Sequence, residues 1–359
     1  MSDQFETRLQ LQLRTAAERM ERRGALGRLR LALPAAPAVA GAALVAVLLL
    51  AVAILGGLRW AGDDDVVTAP RVVANVTLAD NLGSVESGLG SVWIADTAKG
   101  QILRLDPRSR QVQARIPVGG EALVTVGAGA VWAVNARIEG RERLLRIDPA
   151  TNRVTARVPI RLPNGDPLTV GSVYILGGAP WVVGAEGALR INARTGRVEH
   201  FTSLGDPQEQ PRWVTGTDDS LWVFDRQQQV RRYDLDTGRP TSVVPVRMPE
   251  VTAVLPTPAG LVYITHEGDI ARADSDDGRI AWRRKLGTSV AGLPLRRGST
   301  LWIHASDAAG RDRLVELDLD TGEVLSRATL PEFGAAGGAF VGRQFWLATP
   351  NGHLMVLER

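Results

Sequence analysis

The chain has 359 residues, with 38 glycines, 20 prolines, nine tryptophans and no cysteine. Without cysteine there is no disulfide, thiolate metal site, catalytic thiol or lipid-modified cysteine. The net charge of +3 sits wholly in residues 1–34, where seven arginines face Asp3, Glu6, Glu18 and Glu21. The remaining chain is neutral, so no basic stripe for nucleic acid is expected and no nucleic-acid partner is assigned.

In chain order, residues 1–34 come first. Phe5, Leu9, Leu13, Ala16 and Met20 recur at three- and four-residue spacing and make one apolar stripe of a helix. With its arginines this reads as a cytoplasmic basic amphipathic helix, resting on anionic lipid headgroups or docking a cytoplasmic partner. No charged residue lies between Arg30 and Arg59, and residues 35–58 are almost entirely apolar. About 20 such residues cross a bilayer core as a helix, so 35–58 is predicted to span the lipid bilayer. Arg14, Arg19, Arg22, Arg23, Arg28 and Arg30 precede the span, and Asp63, Asp64 and Asp65 follow it. The positive-inside rule then places the N-terminus in the cytoplasm. The expected location is a bacterial plasma membrane, single-pass, with the C-terminal domain extracytoplasmic. A cleaved signal peptide is the alternative, but the basic region and the apolar run are both too long for one. Residues 59–70 read as a linker.

From residue 71 to 359 one pattern recurs. Its core is an aromatic in a short apolar strand: SVWIAD, AVWAVN, APWVVG, SLWVFD, LVYITH, TLWIHA and QFWLAT. The aromatics are Trp93, Trp132, Trp181, Trp222, Tyr263, Trp302 and Trp346. A glycine three or four residues earlier marks a tight turn in every unit but one, where Asp219 stands instead. In the first six units a strand, an Asp or Asn turn and a further strand follow. Asp106, Asp148, Asn192, Asp234, Asp274 and Asp318 open these turns, and Gly196, Gly238, Gly278 and Gly322 suit a left-handed position. Units of about 40 residues with four short strands are propeller blades. The fold class predicted is all-β, a seven-bladed β-propeller preceded by one transmembrane helix. The repeated aromatics are then core between blades. The seventh unit lacks an outer strand, and RVVANVTLA (71–79) resembles the outer strands QVQARIPVG and RVTARVPIR. Residues 71–79 are therefore expected to pair with 353–358 and close the ring.

GSVWIADTAKGQILRLDP and AVWAVNARIEGRERLLRIDPATNRVTARVPI resemble the YVTN-type and streptogramin-lyase-like propellers, and DSDDGRIAWRRKLG is similar to the quinoprotein-like repeat. The resemblance covers 71–359 and implies the seven-bladed fold. In streptogramin lyases it implies histidine eleven residues before the repeat tryptophan. Leu82, Glu121, Val170, Pro211, Thr252, Ala291 and Ala335 stand at those positions. The cysteine pair of quinone-dependent dehydrogenases is also missing, and no cofactor is assigned.

The loops joining second to third strands share a face with the blade connections, and that face surrounds the channel. The residue three after each aromatic should point to it: Asp96, Asn135, Gly184, Asp225, His266, Ala305 and Thr349. Glu267, Asp269, His304, Arg311 and His353 stand nearby. Asp96, Asn135, Asp225, His266, Glu267 and His304 are the candidate ligand-binding set, with no catalytic or metal residue assigned. His266 and His304 lie in consecutive blades and are expected to face each other, an arrangement that, beside Asp225, suits a divalent metal or acid–base work. The reading is a non-catalytic binding or sensing module for a protein, glycan or small ligand on the outer side. The alternatives are a streptogramin-lyase-like or other metal-dependent lyase or hydrolase, and a scaffold of a cell-envelope complex.

Overall fold

Short apolar runs between turn residues cannot bury both faces of a sheet alone, and in this chain they solve the problem by stacking in a ring. The computed structural model describes residues 69–136, 142–204, 213–217, 219–331, 334 and 336–359, all of one unit, Val66–Arg359. The expected basic helix, membrane span and most of the linker lie outside the described residues. Among the described residues no helix is long and apolar enough to cross a membrane.

The first strand, β1 (Arg71–Thr77), is the outer strand of the seventh blade. Blade one is β2 (Leu82–Gly88), β3 (Ser91–Asp96), β4 (Gln101–Leu105) and β5 (Val112–Pro117). Blade two is β6 (Glu121–Gly127), β7 (Ala130–Ala136), β8 (Arg143–Asp148) and β9 (Arg153–Pro159). Blade three is β10 (Val170–Leu176), β11 (Ala179–Gly184), β12 (Gly187–Ile191) and β13 (Val198–Ser203). Blade four is β14 (Trp213–Thr217), β15 (Ser220–Phe224), β16 (Gln229–Asp234) and β17 (Pro240–Pro245). Blade five is β18 (Val251–Thr257), β19 (Gly260–Thr265), β20 (Asp269–Ala273) and β21 (Ile280–Lys285). Blade six is β22 (Ser289–Arg297), β23 (Thr300–Ser306), β24 (Asp312–Asp318) and β25 (Val324–Thr329). Blade seven is β26 (Gly337–Val341), β27 (Gln344–Ala348) and β28 (His353–Glu358), completed by β1.

Every sheet is four-stranded and antiparallel, and in blades one to six it is a simple meander. The closure follows the sequence expectation: Arg71 pairs with Glu358 and Thr77 with His353, with a bulge between Val72 and Ala74. This covers a strand edge that would otherwise be free to pair with another chain. The first strands of the blades, β2, β6, β10, β14, β18, β22 and β26, lie innermost, and most touch their neighbours around the channel.

The repeat aromatics do what their spacing implies. Trp93, Trp132, Trp181, Tyr263 and Trp346 are fully buried, and Trp222 and Trp302 are at most 8 % exposed. Trp93 packs among Val124, Val131 and Ile147 of the next blade, and Trp346 among Leu82, Ile94 and Leu103. Burying one indole stabilises the ring by ~5 kcal/mol. The interface between blades five and six also holds Trp282 from the outer strand β21. Its Nε1 donates to Leu319 O at 3.0 Å.

The turns also conform. Asp106 Oδ1 accepts from Arg108 N and Ser109 N, and Asp148, Asn192, Asp234, Asp274 and Asp318 cap their turns through the same backbone donors. These bonds hold the carboxyls of Asp106, Asp148, Asp234, Asp274 and Asp318 below their usual range. In the two units without the turn glycine, Arg110 (φ 61°) and Asn152 (φ 57°) take the left-handed position.

Candidate functional site

Antiparallel strands put the turns on two opposite faces. The connection face carries the second-to-third-strand turns and the blade connections. The hairpin face carries the first-to-second-strand turns and the Asp/Asn turns.

The sequence candidates sit towards the connection face, where Asp96, Asn135 and Asp225 hold their own turns. Asp96 is fully buried at the end of β3. It accepts from Lys99 N at 3.1 Å and from Gln101 Nε2 at 2.6 Å. Asn135 Oδ1 accepts from Arg143 N at 2.6 Å. Asp225 Oδ1 accepts from Gln227 N and Gln229 N, and its Oδ2 meets Arg231 Nε at 3.0 Å. Thr349 Oγ1 accepts from His353 N at 3.2 Å. In blade five that role falls one residue earlier, on Thr265, whose Oγ1 accepts from Asp269 N at 3.0 Å. His266 and Glu267 are exposed. Asp269 is paired with Arg283 and Lys285. The polar residue that recurs after the aromatic strand is a turn device, because a side-chain oxygen there satisfies backbone N–H groups that the ladder leaves open.

The two histidines occupy different environments. His304 is 4 % exposed on β23, with Nε2 3.2 Å from Asp312 Oδ1 of the neighbouring strand. Burial pushes its pKa below the ordinary value, against the pull of Asp312. His266 stands in the solvated turn after β19. Among the described residues no group of three His, Asp or Glu is arranged to hold a metal ion.

The cavity lies elsewhere. A space of about 880 Å³ occupies the half of the channel nearer the hairpin face. Its walls are the later halves of inner strands, with Ser84, Glu86, Thr125, Ser172, Tyr174 and Leu255 among them. Its mouth is set by Thr217, Asp219, Pro258 and Ser275 in hairpin-face turns, with Trp222, Arg232 and Arg296 beside them. Arg232 Nη2 meets Asp219 Oδ2 at 2.7 Å, and the guanidinium lies 5.4 Å from the Trp222 ring centre. Tyr174 donates to Val214 O at 2.9 Å, and Ser84 Oγ accepts from Val124 N at 2.9 Å.

One cavity residue stands out. Each repeat aromatic has a cross-strand partner on the inner strand: Glu86, Thr125, Tyr174, Thr215, Val254, Leu295 and Ala339. Glu86 is the one acid in this row. Burial raises its pKa to about 7. Sequence reasoning focused on the turns and passed over it, although a lone acid inside LGSVESG, at a register position otherwise uncharged, was the available signal.

With fold and cavity defined, the relatives can be placed. A family model described as outer membrane protein assembly factor BamB matches residues 226–358, less than half of the chain. BamB from Moraxella catarrhalis superposes with a TM-score of 0.55 at 14 % identity, covering 81 % of this chain and 100 % of that one. Virginiamycin B lyase from Staphylococcus aureus superposes with a TM-score of 0.61 at 16 % identity, covering 80 % of this chain and 98 % of that one. The fold shared with both is the seven-bladed β-propeller. No curated protein matches the sequence. At these identities the likeness to the two solved structures shows the fold alone.

Proposed function

We propose that this chain is a non-catalytic binding module of the bacterial cell envelope. In this reading residues 1–34 are cytoplasmic, 35–58 cross the plasma membrane, 59–70 form the linker and 71–359 form an extracytoplasmic propeller. The half-channel cavity of about 880 Å³ is the binding site, and its presence is the observation that carries the reading. Its size falls within the range of small-ligand pockets, ~300–1,000 Å³. The carboxylates of Asp96 and Asp225 on the opposite face are taken up by their own turns. The match of 226–358 to the BamB family model supports an envelope setting and protein partners.

The test uses the full chain in intact cells, with an N-terminal tag and photo-crosslinking residues at Thr217 and Pro258 on the mouth and at Glu267 on the connection face. The reading requires a tag protected from external protease, a digestible propeller and crosslinks from the mouth positions. A tag cut from outside would overturn the topology. Crosslinks from Glu267 alone would overturn the assignment of the site.

The family match also favours a second reading, a scaffold in an envelope complex. It predicts crosslinks to protein from the outer faces and a channel that takes no small ligand. A lyase reading draws on the fold alone, since His304 is engaged by Asp312 in the core.

A further inference from the structure

The channel wall contains a carboxyl group with no protein partner. Among the described residues no cation lies within ion-pair distance of Glu86, no donor reaches it, and burial is the only influence on its titration. The other charged side chains facing the cavity are Asp219, Arg232 and Arg296. Asp219 and Arg232 pair at the mouth, and Arg296 Nη1 donates to Gly298 O at 3.1 Å. Behind Glu86 in the same sheet row stand Trp93 and then Arg104, whose guanidinium lies against the Trp93 ring and reaches to Asn152 in the next blade. The Trp93 indole therefore separates this cation from Glu86.

A half-buried carboxyl on a cavity wall, with no cation beside it, leaves a position open for a positive charge. The rest of the wall shows what the group carrying that charge must look like. Ile175, Leu255 and Pro256 offer apolar contact, and the hydroxyls of Ser84, Thr125 and Ser172 offer a few polar positions. We infer that the channel cavity binds an organic ammonium, its cationic nitrogen paired with the Glu86 carboxylate and its apolar body against Ile175, Leu255 and Pro256. This rests on the reading of the protein as a binding module with the cavity as its site, and it adds the chemical class of ligand.

Binding of a cation favours the ionised carboxyl, so Glu86 must give up a proton when the ligand enters near pH 6. That proton distinguishes the proposed pairing from simple apolar binding. The experiment is calorimetric titration of the full chain in detergent micelles, with phenethylamine as probe and 2-phenylethanol as its neutral counterpart. The titrations are run at pH 6 in buffers of different ionisation enthalpy, and again at pH 8. The expected result is amine binding ~10-fold or more tighter than alcohol binding at pH 8, as for a charge-assisted pair. Uptake at pH 6 should release protons, and Glu86→Gln should abolish both the preference and the release. Glu86→Asp should retain the preference, and circular dichroism checks that each variant is folded. Equal binding of amine and alcohol, or unchanged amine binding in Glu86→Gln, overturns the inference while leaving the cavity a binding site. No binding of either probe overturns the inference too, and the crosslinks from Thr217 and Pro258 then decide separately whether the cavity is used at all.

Discussion

Arg359 Nη2 lies 3.2 Å from Glu316 Oε2, and this pair joins blade seven to blade six with the polarity opposite to that of the other inter-blade ties. Opposite Trp93, Trp132, Trp181 and Trp222 the third strand carries Arg104, Arg146, Arg190 and Arg232. Arg104 reaches Asn152 in the following blade, and Arg190 reaches Asp236 there. Arg272, on the same strand of blade five, reaches Asp320. Opposite Trp302 the position is Glu316, which is 3 % exposed and also accepts from Ser326 Oγ at 2.8 Å.

Restoring the repeat residue at this point should therefore harm the protein. Glu316→Arg places two guanidinium groups together in a buried site and should cost about 3 kcal/mol or more. Combining it with Arg359→Glu should recover much of the loss. A double-mutant cycle by urea unfolding measures the coupling, expected at about 1–3 kcal/mol.

Gly322 and Gly298 both take a left-handed backbone, φ 69° and 59°. A Cβ on Gly322 would meet the Trp282 ring at 2.6 Å, whereas one on Gly298 meets nothing within 4 Å. Gly298→Ala should cost about 1 kcal/mol, the backbone penalty alone. Gly322→Ala should cost about 3 kcal/mol, because it also dislodges the indole that seals blades five and six. Equal melting temperatures for the two variants would contradict the wedge role of Trp282.

Asp307 accepts from Ala309 N and Arg311 N and pairs with Arg311 and Arg313. Its backbone bond to Arg311 leads the causes that lower its pKa from 3.8 to about 2. The folded value lies below the unfolded one, so the stabilisation is present above pH 3.8 and is lost as pH falls through about 2. Asp307→Asn should flatten that part of the acid-unfolding curve while leaving the slope above pH 5 unchanged, as followed by circular dichroism.

Glu86 has the opposite sign. Its folded pKa, about 7, lies above the ordinary 4.5, so the unliganded protein is favoured below pH 4.5 and loses stability as pH rises through 7. Glu86→Gln removes the titrating group and should melt at a higher temperature than the parent at pH 8, with little difference near pH 4. Scanning calorimetry across that range checks the sign.

The sequence alone determined the architecture of residues 71–359. Seven aromatic strands, their turn glycines and the Asp or Asn turns are local devices, and a local device repeated every 40 residues or so leaves few ways to bury its faces. Even the ring closure was legible, since a strand missing from one unit and present before the first can pair in one place. The channel cavity was not legible in the same way. Asp96, Asn135 and Asp225 look like ligand residues in a string of letters, and only the fold shows them bonded to the backbone of their own turns. His304 is buried beside Asp312 and His266 stands in an exposed turn, a difference in environment that residue type alone does not show. In the sequence Glu86 stands out only as a lone acid at its repeat position, and its desolvation arises when seven inner strands meet around an axis, because desolvation depends on what surrounds a residue in space. Hydrogen bonding within a turn is written in neighbouring residues, whereas burial and charge in a channel are properties of the assembled ring.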